Sequence, residues 1–153
     1  MAIPRRALFG KLDLTLFRAL ESATAFAKLR GNPHVELAHW LHQLVLGQDG
    51  DLQRIYRHAG IDPTLLTQDL NAALSALPAG ATSLVDFSHY LCESVERAWV
   101  IASLQFADVR IRGAWLLTAL LQSPELRAQL LSISPAFRTM GSDGFLEALP
   151  RVD

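Results

Sequence analysis

The chain has 153 residues, half of them hydrophobic and 19% charged, which excludes a disordered or fibrous protein and leaves room for one domain with a buried core. A net charge of −1 gives no basic excess, so nucleic acid is excluded as the main partner. The single cysteine, Cys92, cannot close an internal disulfide and favours a reducing setting, and no apolar run is long enough for a signal-peptide core or a transmembrane helix.

Pro4 suits the first turn of a short helix reaching Lys11, with Leu8, Phe9 and Leu12 on one side and Arg5, Arg6 and Lys11 elsewhere. Asp13 is a cap for a second helix to Arg30, whose inner stripe reads Phe17, Leu20, Thr24 and Ala27, flanked by Leu16 and Ala23. Gly31-Asn32-Pro33 stops it. A third helix covers Glu36 to Leu46 with Leu37, Trp40, Leu41, Leu44 and Val45 inward. Asp51 reads as the cap of Leu52 to Ala59, and Asp62-Pro63 opens a helix with Leu65, Leu66, Leu70, Ala73, Leu74 and Leu77 as its spine.

Pro78 to Ala81 is a linker. Ser83 and Asp86 read as a capping box ahead of the longest helix, which runs from Leu84 to Phe106 with Leu84, Phe87, Leu91, Val95, Ala98 and Ala102 at helical spacing. Ile111 to Leu121 and Ser123 to Leu131 follow, then a weaker helix with Phe137 and Met140, and a tail whose one apolar set is Phe145, Leu146 and Leu149. No segment alternates with the period of a strand, so the fold class is all-α.

The chain contains one stretch twice. At an offset of 75, Leu16 meets Leu91, Glu21 meets Glu96, Ala23 meets Ala98, Leu29 meets Leu104, Trp40-Leu41 meets Trp115-Leu116 and Leu46 meets Leu121. Self-similarity at one offset marks a duplicated supersecondary unit. The expected organisation is a single domain over 1–153: an extra N-terminal helix at 4–11, repeat one at 13–77, a linker at 78–82 and repeat two at 83–149.

Catalytic constellations are not convincing. No phosphate-binding Gly-x-x-x-x-Gly-Lys-Ser/Thr occurs, so the chain is not expected to hydrolyse a nucleotide. His34, His39 and His42 lack a clear metal spacing; His39 reads as a half-buried polar residue and His42 as solvated. His89 precedes Cys92 by three residues, but on so apolar a helix the cysteine reads as a small hydrophobe. Glu93 and Glu96 sit near Arg97 on a wet face. Trp40 and Trp115 hold equivalent repeat positions and read as symmetric core packing, and Trp99 falls at the core's edge.

The N-terminal helix is too short to stand alone, so Leu8, Phe9 and Leu12 must dock on the body. Leu84, Phe87, Tyr90 and Leu91 offer a surface for it. Either the two helices leave an apolar furrow, a natural seat for an amphipathic partner helix, or they close on each other; periodicity weighs these equally. If the furrow exists, its lining is Leu8, Phe9, Leu12, Leu84, Phe87, Tyr90 and Leu91.

The duplicated unit resembles the Clp amino-terminal domain of AAA+ unfoldases, in which the second helix of each repeat starts Glu-His-Leu-Leu. Here Ala38-His39-Trp40-Leu41 holds that place, with alanine for the glutamate, and the second copy, Gly113-Ala114-Trp115-Leu116, has lost the histidine too. Within the family, the run from Leu29 to His42, with Arg97-Ala98-Trp99-Val100 and Arg112-Gly113, is similar to the ClpV (TssH) branch. The resemblance implies a non-catalytic recognition domain in a cytoplasmic bacterial ATPase of type VI secretion, followed by two ATPase modules that hold ATP and magnesium. It implies as partner the N-terminal helix of the large sheath subunit (VipB, also called TssC), bound beside the extra leading helix so that contracted sheath is disassembled. The isolated domain is then a monomer and the whole protein a hexamer, with no cofactor in this domain, no nucleic acid and no membrane. The alternative is a general Clp-type N-domain for adaptors or unfolded substrates.

Overall fold

Asp13 and Ser88 stand 75 positions apart in extended backbone, and each accepts a hydrogen bond from the amide three residues on, Leu16 N at 2.9 Å and Leu91 N at 3.2 Å. Such caps satisfy an orphan donor at a helix start. The computed structural model describes residues 4–47 and 50–140. Its first half runs α1 (Arg5–Phe9), α2 (Leu14–Leu29), β1 (His34–Val35), α3 (Leu37–Leu46), α4 (Asp51–His58) and α5 (Pro63–Ser75). Its second half runs β2 (Asp86–Phe87), α6 (His89–Val100), a π-helical turn (Ile101–Gln105), α7 (Gly113–Gln122), α8 (Pro124–Ile133) and a 3-10 turn (Pro135–Thr139). The expected tail set Phe145, Leu146 and Leu149 lies outside the described residues.

The fold is helical, and α2 packs on α3 as α6 packs on α7. Leu16, Leu20, Ala23 and Ala27 face the core from α2, and Leu91, Val95, Ala98 and Ala102 from α6 and its π turn. Each buried leucine contributes about 1.5–3 kcal/mol relative to exposure. The stripe of α2 is therefore rotated from the expected one: Phe17 is 41% exposed and Thr24 only half-buried, its hydroxyl turned back on Leu20 O. On α5 the spine is Leu66, Leu70 and Leu74, with Leu65 exposed.

Two expectations about element starts are corrected. Ser83 and Asp86 do not open a helix. Residues 84–87 are extended, because Val85 N donates to Pro33 O (2.7 Å) and Ser88 N to Val35 O (2.9 Å), which pairs β2 with β1 in parallel. Asp51 does not cap its own helix. Its carboxylate reaches across to α7, accepting Arg112 Nε at 2.7 Å, Arg112 Nη2 at 2.9 Å and Ala114 N at 3.0 Å, so it caps a helix of the other repeat. Gly113 permits this approach, since a Cβ there would fall 3.1 Å from both Asp51 Cβ and Leu52 Cδ1.

The strand pairing has a twin. Leu12 forms a parallel bridge with Ile111, where Ile111 N donates to Lys11 O (2.7 Å) and Asp13 N to Ile111 O (2.8 Å). In both cases the residues just before a long helix pair with the residues just before the second helix of the other repeat, so the halves are laced together twice.

That lacing exposes a register shift. Ala27 and Ala102, both fully buried, match at an offset of 75, but the helix that follows matches at 76. Its caps are Glu36 and Arg112, and its last residues are Leu46 and Gln122. The extra residue is absorbed by the π turn, whose wider i to i+5 ring takes one residue more, and the left-handed position moves from Gly31 (φ 72°) to Ala107 (φ 52°). Trp115 is thus the counterpart of His39, not of Trp40. The side chains confirm it: His39 Nε2 bonds Asn32 Oδ1 at 2.9 Å, and Trp115 Nε1 donates to Asp108 Oδ2 at 2.9 Å. Trp40 corresponds to Leu116, and its Nε1 donates to Leu16 O (3.1 Å); symmetric packing of the two tryptophans is overturned.

Candidate functional site

α1 has five residues, no side-chain cap and no intrinsic stability to speak of. Its position comes from what it touches. Leu8, Phe9 and Leu12 are buried, and the Phe9 ring lies 5.1 Å from that of Phe87, tilted by 52°. Arg5 Nη1 donates to both Asp86 carboxylate oxygens, at 2.6 and 2.8 Å. This pairing raises the Arg5 guanidinium and lowers the Asp86 carboxyl from their ordinary values, the hydrogen bond being the larger cause in each. At the other end Arg110 Nη1 donates to Gly10 O (2.7 Å), a cation where the helix dipole favours one. Lys11 Nζ stands 5.1 Å from the centre of the Trp99 ring. α1 is therefore fastened along α6.

This seat divides the expected lining residues. Leu8, Phe9, Leu12 and Leu91 point into the core and fix the wall, whereas Leu84 and Phe87 are half-buried and keep part of their apolar surface towards solvent; Tyr90, also half-buried, lines a separate hollow with Leu37, Ala73, Leu77 and Ile133 that includes no residue of α1. Val85 beside them is 69% exposed. Along α6 the outer face holds a shallow hollow of about 340 Å³ lined by His89, Cys92, Glu93, Glu96, Arg97 and Val100. A second, of about 260 Å³, shares Arg97 and Val100 and continues to Gln122 at the end of α7 and Ser123 just after it. These hollows lie on the exposed side of α6 and are lined by no residue of α1; the open apolar surface beside α1 is that of Leu84 and Phe87, in the segment that meets Arg5 and Phe9. Val85, Cys92 and Val100 are not among the lining residues expected from the sequence. Val100 does follow Cys92 and Glu96 at helical spacing, a signal masked by their mixed polarity.

The remaining polar candidates have structural partners. His39 is buried, not half-buried: Glu36 N donates to its Nδ1 (2.8 Å), so the proton sits on Nε2 and is given to Asn32 Oδ1, and Asn32 Nδ2 in turn donates to Pro78 O (2.7 Å). The Glu36 side chain answers with a bond from the His39 amide, closing a capping box. Burial pushes the His39 pKa down to about 4, with Arg30 and His42 adding to it. His42 is buried as well, stacked 5.4 Å from Phe26, where sequence suggested solvent. Burial raises the Cys92 thiol, which disfavours the thiolate a nucleophile needs. Among the described residues no three His, Cys, Asp or Glu side chains gather as a metal site would require, and no helix is long and apolar enough to cross a membrane.

A laced, duplicated helical body with a grooved flank defines a binding domain. The chain belongs to the Clp repeat (R) N-terminal domain family, which matches residues 11–132. It is 53% identical over 135 residues to the chaperone protein ClpB of Yersinia enterocolitica and 46% identical over 145 residues to the AAA+ ATPase ClpV1 of Pseudomonas aeruginosa. The matches take in 88% and 95% of this chain but only 15% and 16% of those relatives, so the chain spans about a sixth of their length. A solved structure from work on the coevolution of the ATPase ClpV, the TssB–TssC sheath and the accessory HsiE protein superimposes with a TM-score of 0.94 at 44% identity, covering 99% of this chain and 93% of its own. A complex of a ClpV N-domain with a VipB peptide has the same fold, with a TM-score of 0.82 at 21% identity over 99% of this chain and 92% of that one.

Proposed function

We propose that this chain is the substrate-recognition domain of a ClpV-type AAA+ unfoldase and binds the N-terminal amphipathic helix of the large type VI sheath subunit in the furrow between α1 and α6. The observation that supports it most is coverage: the likeness at 44% identity extends over 99% of the chain, and therefore includes α1, the element that walls the furrow. A VipB peptide bound to a ClpV N-domain of the same fold points to the ligand class. Leu84 and Phe87 supply the apolar contact, while Leu8, Phe9, Leu12 and Leu91 hold the wall in place. The ATPase modules of the longer protein would hold ATP and magnesium, assemble as a hexamer in the cytoplasm, and pull the captured sheath subunit; the recognition domain itself is a monomer and takes no cofactor.

The contact is small, at the low end of interfaces below about 1,200 Å². Association entropy removes much of the apolar gain, so micromolar affinity, roughly −8 kcal/mol, is expected, and six tethered copies gain avidity on an assembled sheath. A fluorescence titration of the 153-residue chain with a peptide of the sheath subunit's N-terminus tests this. Leu84→Asp and Phe87→Asp should weaken binding by tenfold or more. Because Phe87 also seats Phe9, hydrogen exchange of α1 must show that the helix remains docked. If both folded variants bind as the parent does, the furrow is not the site. The ClpB name of the Yersinia relative suits the second reading, a general N-domain for adaptors or unfolded substrates; hydrophobic model peptides binding as tightly as the sheath helix would favour it.

A further inference from the structure

The two banks of the furrow differ in charge, although the chain as a whole is nearly balanced at 14 basic and 15 acidic residues. On the α1 bank stand Arg5, Arg6, Lys11 and Arg110. Arg5 is taken by Asp86. Asp108, the other carboxylate on this side, is turned to Trp115 Nε1 and to the Arg110 amide. Arg6, Lys11 and Arg110 form no ion pair with any described residue: Lys11 lies over the neutral Trp99 ring, and Arg110 donates to the neutral Gly10 carbonyl. Among the described residues, three cations stand against the one carboxylate of Asp108, so this side keeps a net positive charge. On the α6 bank Glu93 is matched by Arg97 at 3.1 Å, leaving Glu96 as the one carboxylate of this bank without an ion pair among described residues.

We propose that the partner helix carries an acidic flank, Asp or Glu repeating every three to four residues, and lies with that flank against Arg6, Lys11 and Arg110. This rests on the furrow being the binding site and adds what sets its selectivity. Apolar contact with Leu84 and Phe87 is indifferent to which amphipathic helix arrives. A bank of like charges is not: opposite charge on the approaching flank speeds encounter and fixes the rotation of the helix, and like charge is excluded. The helix therefore docks with a defined side towards α1.

The experiment uses the 153-residue chain and two synthetic amphipathic helices with the same apolar stripe, one with Glu along a single flank and one with Lys there. At low salt the Glu peptide should bind about tenfold tighter, and the gap should close when the Debye length is cut to about 3 Å at 1 M salt. In the Arg6→Glu/Lys11→Glu double variant, both side chains being exposed, the order should reverse with helicity unchanged. Equal binding of the two peptides at low salt, or tighter binding of the Lys peptide by the parent, overturns the charge rule and leaves the furrow standing. Failure of both peptides to bind overturns the furrow and the charge rule together.

Discussion

His39 shows how one side chain joins three segments. It accepts from Glu36 N, donates to Asn32, and through Asn32 holds Pro78 of the linker between the repeats. Protonation would put a second N–H where Nδ1 must accept, so the folded state resists it, with a pKa of about 4 against 6.5 unfolded. Because the unfolded chain binds the extra proton, this contribution is complete above pH 6.5 and is lost as pH falls towards 4. At about 1.4 kcal/mol per unit, it amounts to about 3 kcal/mol. His42, also lowered by burial, acts in the same direction. Urea unfolding between pH 7 and 4 should show this slope, and His39→Gln should flatten it; the same slope in the variant would remove His39 as its origin.

At the scale of elements, the π turn is an inserted residue made harmless. Repeat one crosses from Ala27 to Asn32 with Asn32 N donating to Ala27 O, and repeat two covers the equivalent gap with one residue more, Asp108 N donating to Ala102 O at 2.7 Å. Leu104, 81% exposed in that turn, contributes little burial. Deleting it should convert the turn to ordinary α-helix, keep Trp115 bonded to Asp108, and change stability by no more than about 1 kcal/mol, the range of a surface change without a buried contact. Thermal unfolding checks the stability, and the fluorescence of Trp115 checks the pairing. A loss of several kcal/mol would mean that the wide turn is required rather than merely accommodated. α1 is the opposite case, an element with little stability of its own that exists only because Phe9, Arg5 and Gly10 meet Phe87, Asp86 and Arg110.

For the molecule as a whole, neither repeat is self-sufficient. β1 pairs with β2, Leu12 bridges to Ile111, and Asp51 of repeat one caps α7 of repeat two with a half-buried arginine as its partner. A fragment of residues 13–77 would expose these groups together with the apolar face that the other repeat covers. It should show low helicity and no cooperative melt, whereas the full chain should unfold in one transition. A folded, cooperatively melting fragment would show that the lacing adds orientation but not stability.

The sequence by itself determined the helical class, the duplication, the caps Asp13 and Asp62 and the resemblance to its family, because periodicity, capping and repeat identity are local signals carried by neighbouring residues. It also named the half-exposed Leu84, Phe87 and Tyr90. Tertiary structure decided the rest. Asp86 and Asp51 are good caps in isolation, yet Asp86 meets Arg5 across 81 positions and Asp51 meets Arg112 across 61, contacts that no local pattern encodes. The Trp-Leu coincidence concealed the one-residue shift, since an ungapped match cannot register a π turn. Which side of Leu8 and Phe9 faces water was settled only when α6 came to lie beneath α1, for an apolar side chain near another is filled core or open groove according to backbone separation, a quantity absent from a list of residues.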